Sequence, residues 1–256
     1  MSFSTKKNIA VIMTGGTIHM AQNESGVVPA LSGEQLLAQA PSLAQYAGIT
    51  LYEFGNYPSP HMTLSLMKQL SQFVDEKARI HDGVIITHGT DTLEETAYLL
   101  DLTLHSERPI ILTAAMRSGN EVGIDGPRNL LDSVKVAISE DAMGKGVLVV
   151  LNSEIYAARE VTKIYTSNVA AFNAPGYGYL GIVDEDKAVF YRQSLVRTKI
   201  YTDTVAENVP LIKCVAGMDG FLVEAAMANR ANGLIIEALG RGNLPPAMIP
   251  AVQKAV

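Results

Sequence analysis

Short apolar runs punctuate the first 150 positions, at 8–13, 83–86, 109–112 and 146–151. Between them, apolar residues return at the three-to-four spacing of a helix, over 33–40, 63–78, 93–104 and 126–139. A continuous apolar run bounded by Gly, Pro or charge predicts a strand buried on both faces, and strands separated by helices predict a mostly parallel sheet. The expected class is therefore α/β, with helices flanking the sheet.

The pattern changes after position 156. Residues 156–196 are rich in Tyr, Thr, Asn and Gly, with GYGY at 176–179, and predict loops and antiparallel strands. The polar stretch YTDTVAEN at 201–208 predicts a linker. Apolar runs at 209–216 and 233–237, with a helix to about position 231 between them, restart the strand–helix–strand pattern. The organisation expected is a domain over 1–200, a linker over 201–208 and a smaller α/β domain over 209–256. With two clear strands and a helical stretch running to Val256, that second domain reads as incomplete.

Composition narrows the functional classes. The 256 residues are 48% hydrophobic, enough for a large core. With 20 basic and 26 acidic residues the net charge is -6 and no segment is strongly basic, which argues against nucleic acid as a partner. No apolar stretch approaches the roughly 20 residues that span a bilayer, and the run after Lys6 and Lys7 leads into a Gly-rich turn rather than a cleavage site. The expectation is a cytoplasmic protein without membrane attachment. The single Cys214, set in LIKCVAG, reads as a buried structural thiol.

Candidate chemistry collects where the strands end, because ligands of an open α/β sheet bind beyond the carboxyl ends of its strands. TGGT (14–17) follows the first run, THGTDT (87–92) the second and TAAMR (113–117) the third. TGGT alone is equally well a tight strand–helix turn. It matches neither GxGxxG nor a P-loop, so nucleotide binding has little support. In THGTDT, Asp91 or Thr92 can cap the helix starting near Leu93, with Glu94 and Glu95 suiting its dipole, but capping leaves Thr87 and Thr90 unexplained. His88 has no second ligand at metal spacing, so no metal is expected. Lys163, in the polar REVTK, reads on pattern alone as a solvated lysine. A threonine hydroxyl is a weak nucleophile that needs a base or cation and oxyanion donors, a set that a Thr, an acid and a Lys can supply.

TGGTI (14–18), DGVIITHGTDTLEETA (82–97), AMR (115–117), DGP-N (125–129) and REVTK (159–163) together resemble the bacterial L-asparaginase/glutaminase family, from Ile9 to about Leu244. The resemblance implies hydrolysis of L-asparagine to L-aspartate and ammonia, with glutamine a further substrate of some members. It implies no metal or organic cofactor, and a homo-oligomer, dimer or tetramer. Residue by residue it implies Thr17 as the acylated nucleophile and Thr90 as the second catalytic threonine. Asp91 would bind the substrate amino group and orient Lys163, the catalytic lysine. Ser59 would help hold the substrate α-carboxylate, Ala115 would present its carbonyl near the side-chain amide, and Gly16 and Gly89 would let backbone approach the substrate. Thr87 and His88 are left with supporting roles.

Three departures qualify it. The loop after TGGTI, where many members carry an activating tyrosine, has Val27 or Val28 at that place and no Tyr between Ile18 and Gln45; Tyr57 or Tyr165 would substitute if the fold brings one near. Pro60 stands beside Ser59 where a polar residue often helps bind substrate. The family's smaller domain usually continues past the place of Val256 and supplies a neighbour's substrate-binding acid. For a chain of this extent the resemblance implies weakened assembly and low activity. The alternatives are a non-catalytic or weakly active amino-acid-binding member, and an asparaginase-like subunit of a tRNA amidotransferase.

Overall fold

The computed structural model describes residues 6–23, 26–29 and 32–256, with side chains described outside 21–31. The chain divides into two compact units, Met1–Thr202 and Asp203–Val256.

The first unit is built on β1 (Asn8–Met13), whose residues after Asn8 are all buried. From β1 the chain makes the hairpin β2 (Met20–Asn23) and β3 (Gly26–Pro29), then α1 (Gly33–Ala38) and α2 (Leu43–Tyr46). It returns as β4 (Gly48–Glu53), parallel to β1 on one side. After α3 (Leu64–Ala78), β5 (Gly83–Thr87) pairs in parallel with β1 on the other side. Helix α4 (Leu93–Thr103), β6 (Ile110–Thr113), α5 (Gly126–Ile138) and β7 (Val147–Leu151) continue outward, both strands parallel to β5. The chain thus leaves β1 in one direction and resumes in the other, and the carboxyl ends of β1 and β5 flank the resulting switch point. That is where a crevice opens in a doubly wound sheet.

Period-two alternation splits the core. Ala10, Ile12, Val84, Ile86, Ile110 and Leu112 face Met67, Leu70, Val74, Leu93, Ala97 and Leu100 of α3 and α4. Ile9, Val11, Ile85 and Ile111 face Leu36, Leu43, Leu130 and Val134 of α1, α2 and α5. The helices start where local chemistry allows. Ser32 and Gln35 form a reciprocal capping box at α1, and the Thr63 hydroxyl accepts the Leu66 N–H at α3.

Beyond β7 the sheet turns antiparallel through β8 (Glu154–Ala157), then β11 (Gly181–Asp184) and β12 (Lys187–Phe190). The two-residue strands β9 (Thr162–Lys163) and β10 (Phe172–Asn173) form a separate small ladder. Loops and antiparallel strands are what 156–196 predicts. β4 lies outside the apolar runs, because an edge strand is half-exposed and its sequence GITLYE mixes polar with apolar residues.

The second unit is a β–α–β turn: β13 (Leu211–Lys213), α6 (Phe221–Ala228) and β14 (Ile235–Glu237), the strands parallel, followed by α7 (Ile249–Ala255). Ile212, Cys214, Val223, Met248 and Ala251 form its core. Cys214 is a free, buried thiol with Sγ 3.6 Å from Met248 Sδ. Among the described residues no helix is long and apolar enough to cross a membrane.

Candidate active site

The turns after β1 and β5 pack backbone against backbone. Gly15 and Gly16 hold φ of +112° and +89°. A methyl group on Gly16 would lie 2.4 Å from Gly89 N, and one on Gly15 would lie 2.6 Å from Tyr57 N and O. Only glycine meets both demands, positive φ and no side chain. Thr14 fastens the turns together, its hydroxyl donating to Thr87 O at 2.8 Å. His19 Nε2 meets Thr87 Oγ1 at 2.8 Å, from a ring buried just beyond Thr17. Thr17 opens a short 3-10 turn directly after Gly16 and is half-buried.

The β5 turn carries the charged half. Lys163 Nζ donates to Asp91 Oδ1 at 2.6 Å and to Thr90 Oγ1 at 2.9 Å. The lysine side chain is 17% exposed, so the solvated lysine expected from REVTK alone is corrected: β9 turns it inward onto Thr90. The capping reading is corrected too. Thr92 occupies the N-cap position of α4 without a side-chain cap bond. Its hydroxyl donates instead to Ser59 O at 2.7 Å, while the Asp91 carboxylate faces Lys163. Both side chains are drawn off the helix end by partners distant in sequence.

Ser59 closes this side. Its Oγ accepts the Asp91 N–H at 3.1 Å, and a methyl on Gly89 would meet it at 2.7 Å. His88 is fully buried beneath the turn, with Nδ1 at 2.7 Å from Gly89 O and Nε2 at 3.1 Å from Thr96 Oγ1. The carbonyl requires a proton on Nδ1, so Nε2 accepts from the Thr96 hydroxyl. Burial lowers the His88 pKa below the usual histidine value, offset in part by the Gly89 contact, and keeps the ring neutral.

The loop after β6 presents Ala115. Asp125 accepts Met116 N–H at 2.9 Å and Arg117 N–H at 3.0 Å, and Asn129 Nδ2 donates to Ala114 O at 3.0 Å. The D and N of DGP-N therefore shape this loop from the start of α5.

Thr90, Asp91, Lys163 and Ser59 are joined by hydrogen bonds, Gly89 lies against Ser59, and Gly16, next to Thr17 in the chain, packs against Gly89. Ala115 reaches the same sheet edge from the loop after β6. Sequence reasoning did not assign Thr92, His19, Asp125, Asn129 and Glu94 their contacts. DGP-N pointed to two of these five residues; the others follow only from tertiary structure. Tyr57 N donates to Thr14 O at 2.7 Å, and the Tyr57 ring lies over Gly55, while Tyr165 is exposed. Val27 and Val28 pair with Gln22 and Ala21 in the hairpin, and their side chains lie outside those described. Among the described residues no three His, Cys, Asp or Glu side chains cluster as a metal site would require.

A profile of the family described as "Asparaginase, N-terminal" matches residues 8–196, and one described as "Glutaminase/Asparaginase C-terminal domain" matches residues 208–256. The chain belongs to the asparaginase family. An L-asparaginase of Bacillus licheniformis is 38% identical over 254 residues, covering 98% of this chain and 79% of its own. A probable L-asparaginase of Deinococcus radiodurans is 40% identical over 252 residues, covering 95% of this chain and 75% of its own. The crystal structure of a probable cytoplasmic L-asparaginase from Campylobacter jejuni superposes with a TM-score of 0.88 at 30% identity, over 97% of this chain and 80% of that one. The N-terminal asparaginase match contains every residue of the site described above, from Thr14 to Lys163.

Proposed function

We propose that this asparaginase-family chain hydrolyses the side-chain amide of L-asparagine to L-aspartate and ammonia, through a covalent ester on Thr17. One observation carries the reading: Lys163 Nζ joins Thr90 Oγ1 and Asp91 Oδ1, at 2.9 Å and 2.6 Å, beside the turn that bears Thr17.

The chemistry follows from the donors and acceptors present. An ammonium on Lys163 donates to the Thr90 oxygen, leaves the Thr90 proton directed elsewhere, and stabilises negative charge on that oxygen. Thr90 then relays protons. Thr17 Oγ1 adds to the amide carbon, its proton passing to Thr90, while the Thr90 proton passes to the leaving nitrogen. The C–N bond breaks and ammonia departs. Water adds to the ester, its proton returns through Thr90 to the Thr17 oxygen, and aspartate is released. The Thr17 and Thr90 N–H groups are the donors this mechanism assigns to the oxyanion.

Asp91, whose side chain is 59% exposed, offers its carboxylate to the substrate amino group. The Ser59 hydroxyl, its oxygen engaged by Asp91 N–H, keeps its proton for the α-carboxylate. Gly16 and Gly89 provide close backbone approach, and Ala115 presents its carbonyl to the amide. No step calls for a cofactor. Residues 1–200 form the catalytic domain in this proposal, tethered through 201–208 to 209–256. The assembly is a homo-oligomer working in the cytoplasm.

A coupled ammonia assay with L-asparagine and L-glutamine tests this. Turnover of asparagine is expected, and the rate on glutamine measures the effect of one methylene, about 1–3 kcal/mol in the barrier. Calorimetric binding of asparagine without ammonia release would overturn it.

A further inference from the structure

Lys163 reaches Thr90 from an unusual support. It sits on β9, a two-residue strand paired only with the two-residue β10, outside the eight-stranded sheet. So short a ladder makes few hydrogen bonds of its own. The Lys163 backbone N–H, however, donates to Glu94 Oε2 at 2.5 Å. Glu94 lies in the first turn of α4, three residues after Asp91, and α4 is packed into the core through the buried Leu93, Ala97 and Leu100.

We infer that Glu94 is a positioning residue for amide hydrolysis: its carboxylate fixes the Lys163 backbone so that Nζ falls between Thr90 and Asp91. The same helix start thus holds both ends of the lysine. Asp91 and Thr90 take the ammonium from the segment leading into α4, and Glu94 takes the N–H from within it. One rigid element carries the groups on both sides of the contact, so Lys163 and Thr90 are registered to each other directly rather than through β9 and β10. Such registration matters because misplacement by about 1 Å can cost on the order of a hundredfold in rate.

The function required of Glu94 is hydrogen-bond acceptance, which an amide oxygen also supplies. Glu94→Gln should therefore retain kcat within about threefold, and Glu94→Ala should lower kcat by about tenfold or more with KM changed less than about threefold. The inference rests on the catalytic reading of Lys163, and the two fail differently. Lys163→Ala with undiminished kcat would end that reading. Lys163→Ala impaired while Glu94→Ala matches the wild type would end this inference alone. The double variant completes the test: Glu94→Ala should cost nothing further once Lys163 is alanine. An equal cost in both backgrounds, or a Glu94→Gln as impaired as Glu94→Ala, would show a role other than placing Lys163.

Discussion

Lys163 Nζ and Asp91 Oδ1 stand 2.6 Å apart although 72 residues separate them in the chain. The contact joins the β9 ladder to the turn after β5 and brings a cation onto Thr90. Arginine cannot replace it. A guanidinium is planar and longer, so it cannot occupy the point between Thr90 and Asp91 that a compact ammonium fills. Lys163→Arg and Lys163→Ala should each lower kcat by about 10²–10⁴, the range of general acid–base contributions, as measured by ammonia release under saturating asparagine.

Gly16 should tolerate no side chain. Alanine there would adopt φ of +89° with its methyl 2.4 Å from Gly89 N, so the two turns must separate. Gly16→Ala is expected to cost about 3 kcal/mol or more. The cost should show as a fall in Tm of roughly 2–4 °C per kcal/mol together with loss of turnover.

The loop bearing Ala115 depends on Asp125, which accepts two backbone N–H groups. Removing both acceptors in Asp125→Ala should cost on the order of 2–4 kcal/mol and reduce kcat/KM. Asp125→Asn keeps one side-chain oxygen and should lose less. Denaturant unfolding of the two variants ranks them.

His88 makes stability depend on pH. Its folded pKa lies below the unfolded value near 6.5, so the unfolded chain binds a proton first as pH falls. Above that value the ring is neutral in both states and contributes no pH dependence. Below it, stability falls by up to about 1.4 kcal/mol per pH unit until the folded pKa is reached. Chemical denaturation across pH 5 to 8 should show a shallower acid slope in His88→Gln than in the wild type.

The sheet was legible because its central strands are buried on both faces and read as unbroken apolar runs, as in Val84–Ile85–Ile86. The edge strand β4 escaped for the opposite reason: half-exposed, it carries Thr50 and Tyr52 among its apolar residues. The glycines and hydroxyls of the two turns were legible as strand-end turns, and the structure packs those turns against each other. The wiring was not. Asp91 and Thr92 precede a helix and look like caps, and Lys163 sits in a polar segment and looks solvated. What reassigns all three is their partners, Lys163, Ser59 and Thr90, brought together by the crossovers of the sheet. Local pattern cannot carry contacts made across 33 to 73 residues.

The most direct measurement is ammonia release from L-asparagine by the wild type, Thr17→Ala and Thr90→Ala, each shown folded by its thermal transition. Turnover by the wild type and its collapse in both variants is the expected result. Wild-type rates in both folded variants would contradict the assignment of amide hydrolysis to these two threonines.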